Sequence, residues 1–406
     1  MSATTATRTA GVLITCGVLC AALAMGLRNS FGLFLAPMVQ AHAWTASGFA
    51  FAIAMQVLLN GMFQPIAGQI ADRIGGRQVL IGGALLQIVG TVGMAMAETL
   101  GVFTIFAGIV MGIAVSCAGM PIINATLTRL LPESQRGRAV GLGTAGSSFG
   151  QFLVVPLVQL GISGFGWQTA MFCVAGAAML MVPLALPLND SPKPKVAGAA
   201  VVAEQTAGQA LKAALSDKSF WFLFFGFFVC GVHVSFLGIH LPGFVASCHL
   251  PTAVGAAAIS LIGLFNIAGS LGAGELSTRW KRKELLVCIY AARGVVMSVF
   301  LFSPKTTETV LIFSAVMGIL WLSTVPPTVA LCARNWGTRW LATIFGLVFL
   351  SHQMGGFTGA YLGGVIFDAT GSYDLMWSIC IAAAAFAALV HLPVRDGAPK
   401  PVLAAA

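Results

Sequence analysis

Two arginines, Arg28 and Arg293, lie deep inside long apolar stretches, and neither stretch holds an Asp or Glu. A guanidinium stays charged and presents N–H donors in a planar fork that matches a carboxylate bidentately. Near the middle of a membrane helix an arginine costs roughly 2.5–3.5 kcal/mol on insertion scales. The chemistry such residues could do is non-covalent capture of an anion that the chain does not itself supply. The alternative for Arg28 is snorkelling, or bonds to backbone carbonyls of a facing helix. For Arg293, beside Gly294, a structural role in close helix packing stands next to the binding role.

Other polar residues share these apolar surroundings. His233 and His352 are the groups there that titrate near neutral pH, so proton transfer is one use and helix–helix hydrogen bonding the other. Asn266 and Gln353 are the amides best placed for a cavity, and Tyr361 could form part of its wall. The twelve acidic residues all fall in connections or at the ends of apolar stretches. Carboxylate-driven cation symport is therefore not expected. The nine cysteines are scattered without C-x-x-C spacing, so no disulfide framework or metal site is implied. No triad or phosphate-cradling loop is present, and neither catalysis nor a cofactor is expected.

The elements that position these residues are membrane helices. The chain is 58% hydrophobic and 8% charged, with mean hydropathy +0.93. Soluble domains carry about 25% charged residues. Twelve apolar stretches, the first at 11–37 and the last at 375–393, are each long enough to cross a hydrocarbon core of about 30 Å. A lipid-exposed backbone must satisfy its own hydrogen bonds, which a helix does. The expected fold class is an all-α membrane protein of twelve transmembrane helices in two pseudo-symmetric six-helix bundles: 1–187, a linker over 188–218 that could carry a short amphipathic helix at 207–216, and 219–406.

Cations concentrate in alternate connections, among them Arg73 and Arg77, Arg129, Arg136 and Arg138, and Arg279 to Lys283. The positive-inside rule makes those connections, and both termini, cytoplasmic. The net charge of +9 is thereby an orientation signal, and a nucleic-acid partner is not expected.

The halves repeat at an offset of about 205. Gly68-Gln69-Ile70-Ala71-Asp72-Arg73-Ile74-Gly75-Gly76-Arg77 answers Gly274-Glu275-Leu276-Ser277-Thr278-Arg279-Trp280-Lys281-Arg282-Lys283. Pro121 answers Pro326, Arg129 answers Arg334, and Gly150 answers Gly355. Repeated six-span halves are typical of secondary transporters with a midplane site. The first stretch resembles the signature loop of the major facilitator superfamily, and Arg136-Gly137-Arg138-Ala139-Val140-Gly141 strengthens that resemblance. Leu27-Arg28-Asn29-Ser30-Phe31-Gly32-Leu33-Phe34 resembles the first-helix motif of the monocarboxylate porters, bacterial members included. One departure is the Asp-x-x-x-Arg pair of many members, which here reads Asn266-x-x-x-Ser270.

The resemblance implies that Arg28 contacts a substrate carboxylate. It also implies that Asp72, Arg73 and Arg77 lock a cytoplasmic gate; by its position Asp72 can pair with Arg129 or face a helix N-terminus, whose partial positive charge favours an anion. The expected function is secondary active transport of a small organic anion, a mono- or dicarboxylate, by proton symport or anion exchange. The site would comprise Arg28, Arg293, Asn266, His233, His352, Gln353 and Tyr361. A proton-driven exporter of drugs or other hydrophobic compounds is the alternative, although the fifth stretch, 138–163, lacks the Gly-Pro-x-x-Gly-Gly sequence resembling the efflux motif. A monomer in a bacterial inner membrane is expected, its partners the bilayer, the anion and protons.

Overall fold

The computed structural model describes residues 3–190, 207–337 and 340–396, and among them every regular element is helical. Twelve spans run in order: Ala10–His42, Ala46–Ile74, Gly76–Ala95, Leu100–Leu130, Gly141–Phe165, Trp167–Ala185, Lys218–Ser247, Thr252–Arg279, Arg282–Phe302, Thr307–Trp336, Leu341–Thr370 and Asp374–His391. They are called spans 1 to 12 below. A short linker helix, Ala207–Leu215, precedes span 7 and matches the amphipathic segment expected there. The start of span 1, the end of span 12 and the basic connections share one end of the molecule, the basic end; the opposite end is the far end.

Spans 1, 4 and 10 are interrupted. Span 1 breaks at Ser30 into a short 3-10 turn, Phe31–Phe34. Span 4 breaks at Gly119, which is extended, and Pro121 sits in the first turn of the half-helix that follows. Span 10 breaks between Leu320 and Val325, again with a proline, Pro326, in the next first turn. Proline fits there because the first-turn N–H groups have no intrahelical acceptor. The proline repeat seen in the sequence is therefore a repeat of broken helices.

The two bundles have the same internal packing. Span 1 packs on span 5 and span 3 on span 6; correspondingly, span 7 packs on span 11 and span 9 on span 12. Glycines set the closest crossings. A Cβ at Gly150 would collide with the Ala22 carbonyl, and one at its repeat partner Gly355 with the Phe228 carbonyl. Small residues let helices approach in lipid, where packing replaces the hydrophobic drive.

The bundles meet along spans 2 and 11, 5 and 8, and 1 and 7. Among the described residues, every cross-bundle hydrogen bond lies between the midplane and the far end. Gln353 Nε2 donates to the Val57 carbonyl at 2.8 Å, Asn266 Nδ2 to Ser148 Oγ at 3.0 Å, and Gln151 Nε2 to the Ile259 carbonyl at 2.8 Å. The hydrogen bonds that join the bundles are thus concentrated from the midplane to the far end.

Replacing Gly150 by Val should lower the thermal unfolding midpoint strongly, since overpacking against backbone costs roughly 1–3 kcal/mol or more. Gly164→Ala, in open space on the same helix, should leave the midpoint within a degree or two, read by intrinsic fluorescence in detergent.

Candidate functional site

Arg28 occupies the last turn of the first half of span 1, where the helix's carbonyl end favours a cation. The Ser30 hydroxyl closes that end by donating to the Leu27 carbonyl at 2.7 Å. One turn further on, Gly32 lies so close to the Gly238 and Ile239 backbone of span 7 that a Cβ would not fit. Arg28 thus lies one turn from a close contact between the two bundles. It is half-buried, and its guanidinium makes no hydrogen bond or ion pair with any described residue. The adjacent Asn29 donates to Gln151 Oε1 at 2.7 Å. Gln151 continues to span 8, so spans 1, 5 and 8 are tied together beside the free cation.

Asn266 and Gln353, the two amides singled out in the sequence, both bind the opposite bundle at the midplane. The crossings are repeat-related: Gly61 faces Gln353 as Asn266 faces Ser148, each residue matched to its partner about 205 positions on. Asn266 does more. Its Oδ1 also accepts from the Leu322 N–H at 3.0 Å, a backbone donor freed by the break in span 10.

Arg293 does not join Arg28. It is wholly buried in the second bundle, where its donors serve the same break. Nε and Nη2 reach the Leu320 carbonyl at 3.1 and 2.7 Å, Nη2 also binds the Trp321 carbonyl, and Nη1 contacts Cys230 Sγ at 3.5 Å. Tyr290 stacks under the guanidinium at 5.3 Å. Carbonyl oxygens at the end of a half-helix carry partial negative charge, which is how a cation without a carboxylate is accommodated. The expectation of a second anion contact gives way to a structural clamp.

Three other expected residues also lie apart from Arg28. His233 is fully buried and bonds the Cys380 carbonyl of span 12 at 2.9 Å. His352 is buried between Phe227 and Phe349, with Nδ1 3.0 Å from Gln353 Oε1. Tyr361 is exposed in the far half of span 11, edge-on to Phe51.

At the basic end, Asp72 pairs with Arg129 at 2.9 Å, as their proximity in the reading implied. Arg73 is exposed, and Arg77 contributes its backbone N–H. The centre of this cluster is a residue that the sequence reading did not single out. Asp190, its side chain 2% exposed, takes Arg129 Nε at 2.6 Å and caps span 3 through the Gly76 and Arg77 N–H groups at 2.6 and 3.3 Å. Gly75, at φ +99°, makes the turn that presents those amides; an L side chain would be strained there. The second bundle repeats the device: Asp396, equally buried, meets Arg282 at 3.4 Å and Arg334 at 3.7 Å and the Lys283 N–H at 3.3 Å. The signal was present in Leu186-Pro187-Leu188-Asn189-Asp190 and its repeat Leu392-Pro393-Val394-Arg395-Asp396. Among the described residues, no ion pair joins one bundle to the other.

The family model of the Major Facilitator Superfamily matches residues 17–360. The chain belongs to that superfamily. It is similar to the uncharacterized MFS-type transporter YcxA of Bacillus subtilis, 25% identical with 90% of each chain covered. It is also similar to monocarboxylate transporter 13 of Rattus norvegicus, 24% identical over 87% of this chain and 81% of the relative, and to the fujikurins efflux protein of Gibberella fujikuroi, 25% identical over 80% and 68%. The crystal structure of a D-xylose-proton symporter has the same fold, with a TM-score of 0.72 over 96% of this chain and 98% of that one at 16% identity. This superfamily member is a multi-pass membrane transporter with two pseudo-symmetric bundles.

Asp190→Ala should destabilise the first bundle by roughly 2–4 kcal/mol, because it removes the buried partner of Arg129 and leaves two helix N-terminal amides uncapped. Asp72→Ala, at an exposed pair, should cost about 1 kcal/mol or less. Thermal melts of the two variants provide the comparison.

Proposed function

We propose that this transporter is a secondary active carrier for a small organic anion, a carboxylate, working by alternating access. The observation that carries the reading is the guanidinium of Arg28, free of any described partner, beside Asn29, whose amide is already bonded to Gln151. A carboxylate would accept two parallel charge-assisted bonds from it. The similarity to monocarboxylate transporters points the same way. With Arg293 committed to span 10, a single cation is available. That favours a monocarboxylate over a dicarboxylate within the expected class.

The basic end is taken as cytoplasmic under the positive-inside rule, in a bacterial inner membrane with the chain as a monomer. The conformation described is then inward-facing. Coupling follows from the same residue. Closing the basic end would strip water from Arg28, and an empty site would leave it an unpaired cation in a dry interior. Return with an anion bound avoids that cost, so anion exchange fits the side chains present better than proton symport, in which the carrier must return empty. No histidine here reaches the Arg28 site.

The second reading, export of a hydrophobic compound, is favoured by the similarity to the fujikurins efflux protein. A panel of radiolabelled mono- and dicarboxylates offered to proteoliposomes separates the two. Saturable carboxylate uptake is expected in the wild type. Arg28→Ala should lose about 10- to 100-fold in uptake at limiting substrate, the size of one or two charge-assisted bonds, with Arg28→Lys intermediate. Carboxylate uptake unchanged in Arg28→Ala would overturn the anion site. An untransported panel with efflux of hydrophobic probes intact in Arg28→Ala would favour the exporter.

A further inference from the structure

The far gate is held by a helix cap that one bundle supplies to the other. Span 2 begins at Ala46, and its first N–H groups have no intrahelical acceptor. Its own cap, Thr45, serves Gly48 through the side chain at 3.1 Å and Phe49 through the carbonyl at 3.3 Å. The two remaining amides point across the seam. Asp368, in the last turn of span 11, accepts from Ala46 N–H at 3.0 Å with one carboxylate oxygen and from Ser47 N–H at 2.8 Å with the other. Gly364, one turn earlier, brings the span 11 backbone against Ala46 and Ser47, leaving no room for a Cβ.

We propose that Asp368 is the far-gate latch, the residue that sets the balance between the conformation described and its far-side-open counterpart. Three observations support this. Among the described residues, Asp368 is the one ionised side chain in a cross-bundle hydrogen bond; the other bonds are between amides, hydroxyls and carbonyls. It lies at the extreme far end of the seam, where rocking about the midplane separates the bundles most. Its electrostatics also change sign with the gate. Latched, the carboxylate sits at the N-terminus of span 2, whose partial positive charge favours it. Released, it is left at the carbonyl end of its own helix, where an anion is disfavoured. Asp72 stands in the mirrored place, at the basic-end terminus of span 2, and is engaged within its own bundle by Arg129. Each gate thus has an acid at the C-terminal end of one of these two partner helices, and in this conformation only the far one crosses the seam.

The inference rests on the two-bundle alternating-access architecture and not on the anion reading. Its test therefore uses no substrate. Hydrogen–deuterium exchange is measured on the full chain in lipid nanodiscs, comparing peptides at the far ends of spans 2 and 11 (46–57 and 357–368) with peptides at their basic ends (66–74 and 341–352). Asp368→Ala should raise exchange at the far ends about tenfold, the worth of a cap with a charge on a helix dipole, and lower it at the basic ends. Asp368→Asn keeps an acceptor without the charge and should fall between wild type and alanine. Asp374→Asn, a nearby exposed acid at the start of span 12 that makes no cross-bundle bond, serves as the control and should exchange like the wild type. Wild-type exchange in both Asp368 variants would overturn the latch. So would a rise at both ends, which reports general loosening rather than rocking. Failure of the carboxylate panel would leave this result standing, and failure here would leave Arg28 untouched.

Discussion

Inside a bilayer no water is available to a polar group, so each donor, acceptor and charge within the spans must find a partner in the protein. Much of this structure is arranged around that constraint. The break in span 10 frees backbone carbonyls and an N–H in mid-membrane. Arg293 covers the carbonyls and Asn266 covers the N–H. An arginine that is costly in lipid and a broken helix that is costly in lipid thus satisfy one another. The break in span 4 involves a single extended glycine; the matching break in span 10 is longer and needs the clamp.

The same constraint shapes the seam. A polar seam that must open and close cannot depend on contacts that are ruinous when broken. Its midplane bonds are amide to carbonyl or amide to hydroxyl, worth about 1 kcal/mol net each, and they are repeated on both sides of the pseudo-twofold axis. Close backbone approach at Gly32, Gly356 and Gly364 contributes packing that is lost gradually as the helices tilt. The charged contacts sit at the ends, in reach of water, where an ionised group can be released without entering hydrocarbon. Buried acids such as Asp190 and Asp396 are instead placed within a bundle, holding together helices that move as one body.

This division explains what the sequence disclosed. The fold was legible almost entirely, because span length, the positive-inside asymmetry and the repeat are one-dimensional signals. The landmarks Gly150 and Gly355, or Pro121 and Pro326, mark real crossings and real breaks. Arg28 and the midplane amides stood out in the sequence, since a cation or an amide in an apolar stretch is conspicuous. Which helix face each residue occupies depends on rotation about the axis, and that is set by packing partners absent from the sequence. For Arg293 and His233 the sequence left a binding and a structural role open for that reason, and the structure has both bonded within the bundle core, with Tyr361 on the outer flank. Asp190 and Asp368 were passed over because acids at span ends look like ordinary solvated charge. Their partners are backbone amides, which carry no letter of their own.

Arg28 is a charged exception to the constraint. It is only half-buried and pairs with no described acid. Burying it fully would call for a counter-charge. Where many family members carry an acid and an arginine, span 8 here has Asn266 and Ser270, and Asn266 is engaged by Ser148, Ser270 and the span 10 break. Under the anion reading proposed above, neutralisation of Arg28 then comes from what is carried, and closure is tied to occupancy of the site.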